Sequence, residues 1–259
     1  MQETLPYYQA VGSELTVFGH CFDQQLPLML KGPTGCGKSR FVEHMAARLG
    51  RSLVTVPCHD DTSAADLLGR WLVRGGDTVW ADGPVTRAAR NDSILYLDEV
   101  AEARPDVIVA LHPLTDHRRQ LYVDRNSEVI DVGTNFMLVV SFNPSYQRGL
   151  KELKPSTRQR FVAMSFAYPD AEIEAKIIQQ EANVDAKTAG RLVKLATRLR
   201  SLEELGLAEP PSTRLLVDAA KLIVAGLAAR LACNCAIAEP LTDDPDVLRA
   251  LRETVALAF

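Results

Sequence analysis

The chain has 259 residues, with 47% apolar and 24% charged side chains and a formal net charge of −4. That is the balance of a soluble globular protein with length enough for one large domain or two modest ones. The acidic balance argues against a general nucleic-acid binder. The five cysteines lack metal-finger spacing, and Cys233-Asn-Cys235 reads as a pair of buried thiols, so a reducing, cytoplasmic setting is expected. No leader-like segment or run of 18 apolar residues is present, so no membrane insertion is expected.

Taken in chain order, "LPLMLKG", "SLVTVP", "SILYLDE", "FMLVVSFN" and "RFVAMSF" read as five buried strands, each short and bounded by Gly, Pro or polar residues. Intervening helical segments make the sheet mainly parallel. Two segments interrupt the alternation: "GRWLVRGGDTVWADGP" around Gly75-Gly76-Asp77 and "RRQLYVDRNSEVIDV" around Arg125-Asn126-Ser127 read as inserted β-hairpins. After Tyr168-Pro169 the strand signal stops. Ala189, Leu192, Val193, Ala196 and Leu199 recur at helical spacing. Leu215–Leu227 is apolar nearly all round, as a central buried helix would be, and a last helix follows Asp244-Pro245. The expected organisation is an α/β nucleotide-binding domain over 1–168 and an all-helical lid domain over 169–259.

The chemistry starts at Gly32-Pro33-Thr34-Gly35-Cys36-Gly37-Lys38-Ser39, a full GxxxxGK[ST] match between a strand and a helix expected over Arg40–Leu49. Backbone N–H groups freed by the glycines, together with the helix N-terminus, suit phosphate oxygens. Lys38 would reach the β- and γ-phosphates of ATP, and Ser39 would hold Mg²⁺. "SILYLDEV" ends a strand in Asp98 and Glu99. Asp98 suits Mg²⁺ coordination through water, and Glu99 suits the base that takes a proton from attacking water. Asn143, closing "LVVSFN", could hold that water.

The tetrapeptide Pro-Ser-Thr-Arg occurs twice, at Pro155–Arg158 and Pro211–Arg214. The two contexts differ, so the likeness is read as helix-start chemistry used twice and not as a repeat. Arg158 and Arg160 precede the fifth strand, where ring-forming P-loop ATPases face a neighbour's nucleotide. Arg214 opens a helix of the tail. One arginine would act in trans and the other in cis, and a finger of this kind contributes about 10³–10⁵ in rate. His59, Asp60 and Asp61 read as a polar turn, and His112 and His117 as loop or helix-end residues. Trp71 and Trp80 flank one hairpin turn, either as a cross-strand pair or as a contact for another protein.

Strand–P-loop–helix, "LYLDE", "SFNP", "STRQRF" and "STRLL" in that order resemble the MoxR group of AAA+ ATPases. The stretches "LKGPTGCGKSRFVEHMA", "CHDDTSAADLLGRWL", "WADGPVTRAAR" and "HPLTDHRR" are similar to the CbbQ/NirQ/NorQ subfamily over nearly the whole chain. Ser39 and Ser93–Ile94 stand where members vary, which leaves the catalytic set untouched. The resemblance implies a homo-hexamer working with a von Willebrand A-domain adaptor of the CbbO or NorD kind. It implies remodelling of a client, rubisco for a CbbQ-type protein or nitric oxide reductase for a NorQ/NirQ-type one, and the rubisco client is preferred here. A P-loop small-molecule kinase would explain Lys38 and Asp98 but has no use for the hairpins and helical tail. A DNA-directed AAA+ protein lacks its basic face, and a GTPase lacks an NKxD motif.

Overall fold

The computed structural model describes residues 5–144, 153–202 and 206–259. The chain divides into two compact units. The first runs up to Pro6 and takes in Gly12–Lys31 and Lys38–Ser165; the second takes in Tyr7–Val11, Gly32–Gly37 and Phe166–Phe259.

In the first unit the elements are α1 (Glu14–Asp23), β1 (Leu28–Lys31), α2 (Lys38–Arg48), β2 (Leu53–Pro57), α3 (Ala64–Leu68), β3 (Gly69–Arg74), β4 (Asp77–Asp82) and α4 (Pro84–Arg90). They continue with β5 (Ile94–Asp98), α5 (Pro105–Leu111), β6 (Gln120–Val123), β7 (Glu128–Asp131), β8 (Met137–Phe142), α6 (Pro155–Arg158) and β9 (Val162–Ser165). Five strands form a parallel sheet in the order β2-β5-β8-β1-β9. These are the five apolar runs of the sequence. Burial explains why they read so clearly: β8 is buried at all six positions, and β5 and β1 at all but their last. Strands covered on both faces are apolar at nearly every residue. The edge strands β2 and β9 are only half-buried. Leu95, Leu97, Leu138, Val140, Val107 and Leu121 lie in one core cluster.

Both expected hairpins form. β3 pairs antiparallel with β4 through Gly75-Gly76, both at positive φ, and β6 pairs with β7 through a 3₁₀ turn at Asp124–Asn126. Trp71 stands opposite Trp80 in register, and their rings meet edge to face at 5.4 Å. The hairpins are tied to each other, because Trp71 Nε1 donates to the Arg125 carbonyl at 3.0 Å. Arg90 of α4 adds a second tie, donating to Asp82 of β4 at 2.8 Å and to both carboxylate oxygens of Glu128 on β7.

The second unit carries α7 (Ala171–Ala182), α8 (Ala186–Arg200), α9 (Thr213–Val224), α10 (Ala229–Cys233), a π-helical stretch at Asn234–Ala238 and α11 (Pro245–Ala258). The predicted stripe of α8 is its buried face, with Ala189, Leu192, Val193, Ala196 and Leu199 all under 4% exposed. Asp244 caps α11, accepting from the N–H groups of Asp246 and Val247, with Pro245 at the first position. Two expectations are corrected. α9 is not buried all round: Leu216, Val217, Ala219 and Ala220 face the core, while Leu222 and Val224 are exposed. The helix packs against α7, α8, α10 and the π-helical stretch through the face that carries Leu216, Val217, Ala219 and Ala220, and its C-terminal end leaves Leu222 and Val224 in solvent. The Cys pair is also split, with Cys233 buried and Cys235 exposed.

Gly83, the N-cap of α4, sits where the first hairpin returns to the helix. A Cβ there would lie 2.2 Å from the Leu67 carbonyl oxygen. Gly83→Ala therefore has to displace backbone, and should cost about 1–3 kcal/mol in denaturant unfolding. An unchanged midpoint would show that α3 and α4 pack more loosely than described.

Candidate functional site

In a parallel sheet the carboxyl ends of neighbouring strands share one edge, and ligands bind outside it. Here the three central strands bring Asp98 (end of β5), Ser141 and Asn143 (end of β8) and the chain leading from β1 toward Lys38 to that edge. Asp98 is held by three hydroxyls. Tyr96 donates to Oδ1 at 2.7 Å, Ser141 donates to Oδ1 at 2.5 Å, and Ser39 donates to Oδ2 at 3.1 Å. Burial, followed by the charge of Asp98, pushes the Tyr96 phenol well above its ordinary value, so it stays a donor.

Glu99 follows Asp98 in the left-handed region, φ 53° and ψ 47°, which a residue with a Cβ adopts only at a cost. Its backbone N–H donates to Ser141 Oγ at 3.0 Å, which holds the turn. Its carboxylate lies 3.9 Å from Lys38 Nζ and accepts from the Asn143 backbone N–H. Burial raises the Glu99 pKa, and the lysine offsets only part of that rise. Lys38 is itself only 5% exposed and Asn143 3%. Cys58, just beyond β2, bonds through its N–H to the Asp98 carbonyl at 2.9 Å. Its thiol is pushed up to about 12 by burial and then by Asp98 and Glu99, so it is neutral at ordinary pH. Ser141, Tyr96 and Cys58 were not singled out from sequence. A serine inside an apolar strand, two residues before the candidate Asn143, was the available signal for the first.

The phosphate-type loop Gly32–Gly37 groups with the second unit. Gly35 and Gly37 adopt φ of 68° and 99°. A Cβ on Gly35 would meet Ser212 at 2.6 Å and Arg214 Cβ at 3.4 Å, so this glycine is required by close approach as well as by φ. Thr34 donates through Oγ1 to Glu209 at 3.2 Å, and its carbonyl accepts from Tyr168 at 3.1 Å. Arg214 is exposed at the second position of α9. Cys36 is buried.

The two Pro-Ser-Thr-Arg copies both start helices, but two residues out of register. Lys154 is the N-cap of α6 with Pro155 at its first position, whereas Ser212 is the N-cap of α9. Both copies thus start helices as expected, and neither N-cap bonds through its side chain. The threonines bond elsewhere: Thr157 to His112 at 3.4 Å and Thr213 to Glu174 at 2.6 Å. Arg158 is exposed. Arg160 is a third exposed and reaches Asp116 at 3.4 Å, an acid that also binds Arg118 at 2.7 Å. The Arg118 hydrogen bonds hold Asp116 well below the usual carboxylate range. His59 sits in the turn after β2, its Nδ1 accepting from the Asp61 N–H.

The residues present suit Mg²⁺. Among the described residues no group of three or more His, Cys, Asp or Glu converges on one point. The donors here are one hydroxyl and one carboxylate, hard oxygens of the kind that hold Mg²⁺ together with phosphate and water. Among the described residues no helix is long and apolar enough to cross a membrane.

Two family profiles match the chain: the AAA domain (dynein-related subfamily) over residues 27–161, and the CbbQ/NirQ/NorQ C-terminal region over residues 174–258. The chain is 55% identical to protein NorQ of Paracoccus denitrificans, covering 98% of this chain and 94% of that protein. It is 53% identical to protein CbbQ of Hydrogenophilus thermoluteolus, covering 98% and 95%. Among solved structures, a mutant of Thermotoga maritima RuvB superposes with a TM-score of 0.54 at 16% identity, over 94% of this chain and 70% of that one, a likeness of fold alone. The P-loop, the carboxylate-ended strand and the helical C-terminal region are thus those of a known group: the chain belongs to the CbbQ/NirQ/NorQ family of MoxR-type AAA+ ATPases.

Proposed function

We propose that this chain hydrolyses ATP with Mg²⁺ in a homo-hexameric ring and uses the cycle to remodel a client protein, together with a von Willebrand A-domain adaptor. The observation that carries the reading is the pairing of Lys38 with Glu99 beside an Asp98 fixed by three hydroxyls, at the carboxyl edge of the sheet. In this reading Gly32, Pro33, Thr34, Gly35, Cys36 and Gly37 wrap the phosphates and Lys38 neutralises them. Ser39 and Asp98 would hold Mg²⁺, Asp98 through water; the ion would offset negative charge on the phosphates.

Glu99 accepts a proton from the water that attacks the γ-phosphorus, and the bond to the ADP oxygen breaks to leave ADP and phosphate. The Lys38–Glu99 pair makes phosphate a competitor for Lys38, so that binding loosens the glutamate for its task. Asn143 orients the water. Arg160, with Arg158 beside it, serves the neighbouring subunit's phosphate, and Arg214 serves its own subunit's. The client is rubisco in a CbbQ-type role, with nitric oxide reductase maturation as the second reading; identities of 55% to NorQ and 53% to CbbQ favour neither.

Glu99→Gln should bind ATP with near-normal affinity while kcat falls by about 10²–10⁴. Arrested with ATP, the variant should also retain the adaptor and client in a pull-down from a strain expressing both candidate clients. Recovery of rubisco supports the first reading and recovery of nitric oxide reductase the second; full turnover in Glu99→Gln would remove the base assignment.

The raised Glu99 pKa gives a pH prediction. A base works deprotonated, so turnover should rise with pH through a titration above the ordinary glutamate value of 4.5. The pH profile of kcat should show that acid limb in the wild type and lose it in Glu99→Gln. A limb at or below 4.5 would contradict the burial described.

A further inference from the structure

The second unit contains a buried polar chain that no part of the proposed chemistry uses. Glu174 on α7 is 1% exposed, and Arg200, the last residue of α8, is 17% exposed. The pair is bidentate, with Nη1 and Nη2 donating to the two carboxylate oxygens at 2.8 and 2.7 Å. A buried pair of this geometry is expensive to desolvate and is often replaceable by apolar side chains without loss of stability. Its presence therefore asks for a reason beyond stability.

Both partners reach further. Glu174 Oε1 also accepts from Thr213 Oγ1 at 2.6 Å, and Thr213 is the first residue of α9, immediately before Arg214. Arg200 Nε donates to the Pro211 carbonyl at 3.0 Å, and its guanidinium lies 4.3 Å from the centre of the Tyr168 ring. The Tyr168 hydroxyl donates to the Thr34 carbonyl in the Gly32–Gly37 loop. Burial keeps that phenol protonated and so a donor. The Arg200 and Glu174 bonds meet on the segment Pro211–Thr213, whose next side chain is Arg214 and whose Ser212 abuts Gly35, while Tyr168 ties the same guanidinium to the loop itself. The start of α9 cannot shift without breaking a charge-assisted bond.

We propose that Arg200, clamped by Glu174 and stacked on Tyr168, is a positioning residue that sets the start of α9, and with it Arg214, against the phosphate loop. The inference rests on the reading of Arg214 as an arginine that acts on ATP. Lysine at position 200 keeps the charge but loses the second parallel bond and the planar stack. The clamp touches no substrate, so its effect runs through Arg214.

The test is a double-mutant cycle on steady-state ATP turnover of the full chain: wild type, Arg214→Ala, Arg200→Lys and the double variant, with kcat and KM read separately. Arg200→Lys should lower kcat about tenfold in the wild-type background, as a misplaced catalytic group does. In the Arg214→Ala background it should change kcat by less than about twofold. Thr213→Val leaves the ion pair intact and keeps the side-chain shape. It should lower kcat by about threefold, again only when Arg214 is present. If Arg200→Lys does not fold, this second variant carries the cycle alone.

An equal loss in both backgrounds would overturn the inference, because a merely structural pair damages the protein whether or not Arg214 is there. Unchanged kcat in both Arg200→Lys and Thr213→Val would do the same. Wild-type turnover in Arg214→Ala would overturn the reading of Arg214 along with the inference built on it.

Discussion

Asp98 carries a charge at the end of a strand that is otherwise buried, and three hydroxyls hold it there. Much of the first unit is arranged around that constraint. A carboxylate at the edge of an apolar sheet needs donors in place of the water it loses, and β5, β8 and the start of α2 each supply one. Because all three elements meet only in the parallel order observed, the sheet topology and the site are the same fact seen twice. Ser141 serves two partners: it donates to Asp98 and accepts from the Glu99 backbone, so the strand leading to Asn143 also fixes the left-handed turn of Glu99. Strain at Glu99 is thereby tolerated where the proposed reaction needs its carboxylate turned back toward Lys38.

The second unit solves a different problem with the same kind of bond. Its helices pack through an apolar cluster in which Leu192, Leu195, Leu216 and Ile237 are essentially fully buried. Beside that apolar interior runs a buried charged pair, Glu174 with Arg200, whose other bonds go to the segment before Arg214 and whose guanidinium stacks on the Tyr168 ring. In both units a charge at the margin of an apolar core, half-buried at Asp98 and buried at Glu174, is satisfied by neighbours that belong to different elements. Such bonds set angles and positions more than they add stability.

The sheet was legible because its central strands are buried on both faces and so are apolar at nearly every position; the hairpins were legible through Gly75-Gly76 and Asn126-Ser127 between alternating runs. The P-loop and the Asp98-Glu99 pair announced themselves by spacing. What stayed hidden is what depends on distant partners. The three-hydroxyl grip on Asp98 joins residues up to 59 positions apart, and the Glu174–Arg200 pair spans 26, with no periodic pattern linking them. The shared tetrapeptide reads as a helix start used twice, and it is one, but its copies sit two residues out of register and its threonines bond to His112 and Glu174. The exposed face of α9 misled for the opposite reason: Leu222 and Val224 are apolar without being buried, and apolar residues on a surface are common.

In the function proposed above, a site built on Asp98, Glu99 and Lys38 is completed by Arg160 of another subunit. That completion is tested most directly by ATP turnover per subunit as a function of protein concentration, with Arg160→Ala beside the wild type. A shared site requires turnover per subunit to rise with concentration and then level off, and requires Arg160→Ala to lose about 10³-fold or more while still binding ATP. Turnover per subunit that is independent of concentration, with Arg160→Ala as active as the wild type, would mean that the site is self-contained and that the ring plays no part in the chemistry.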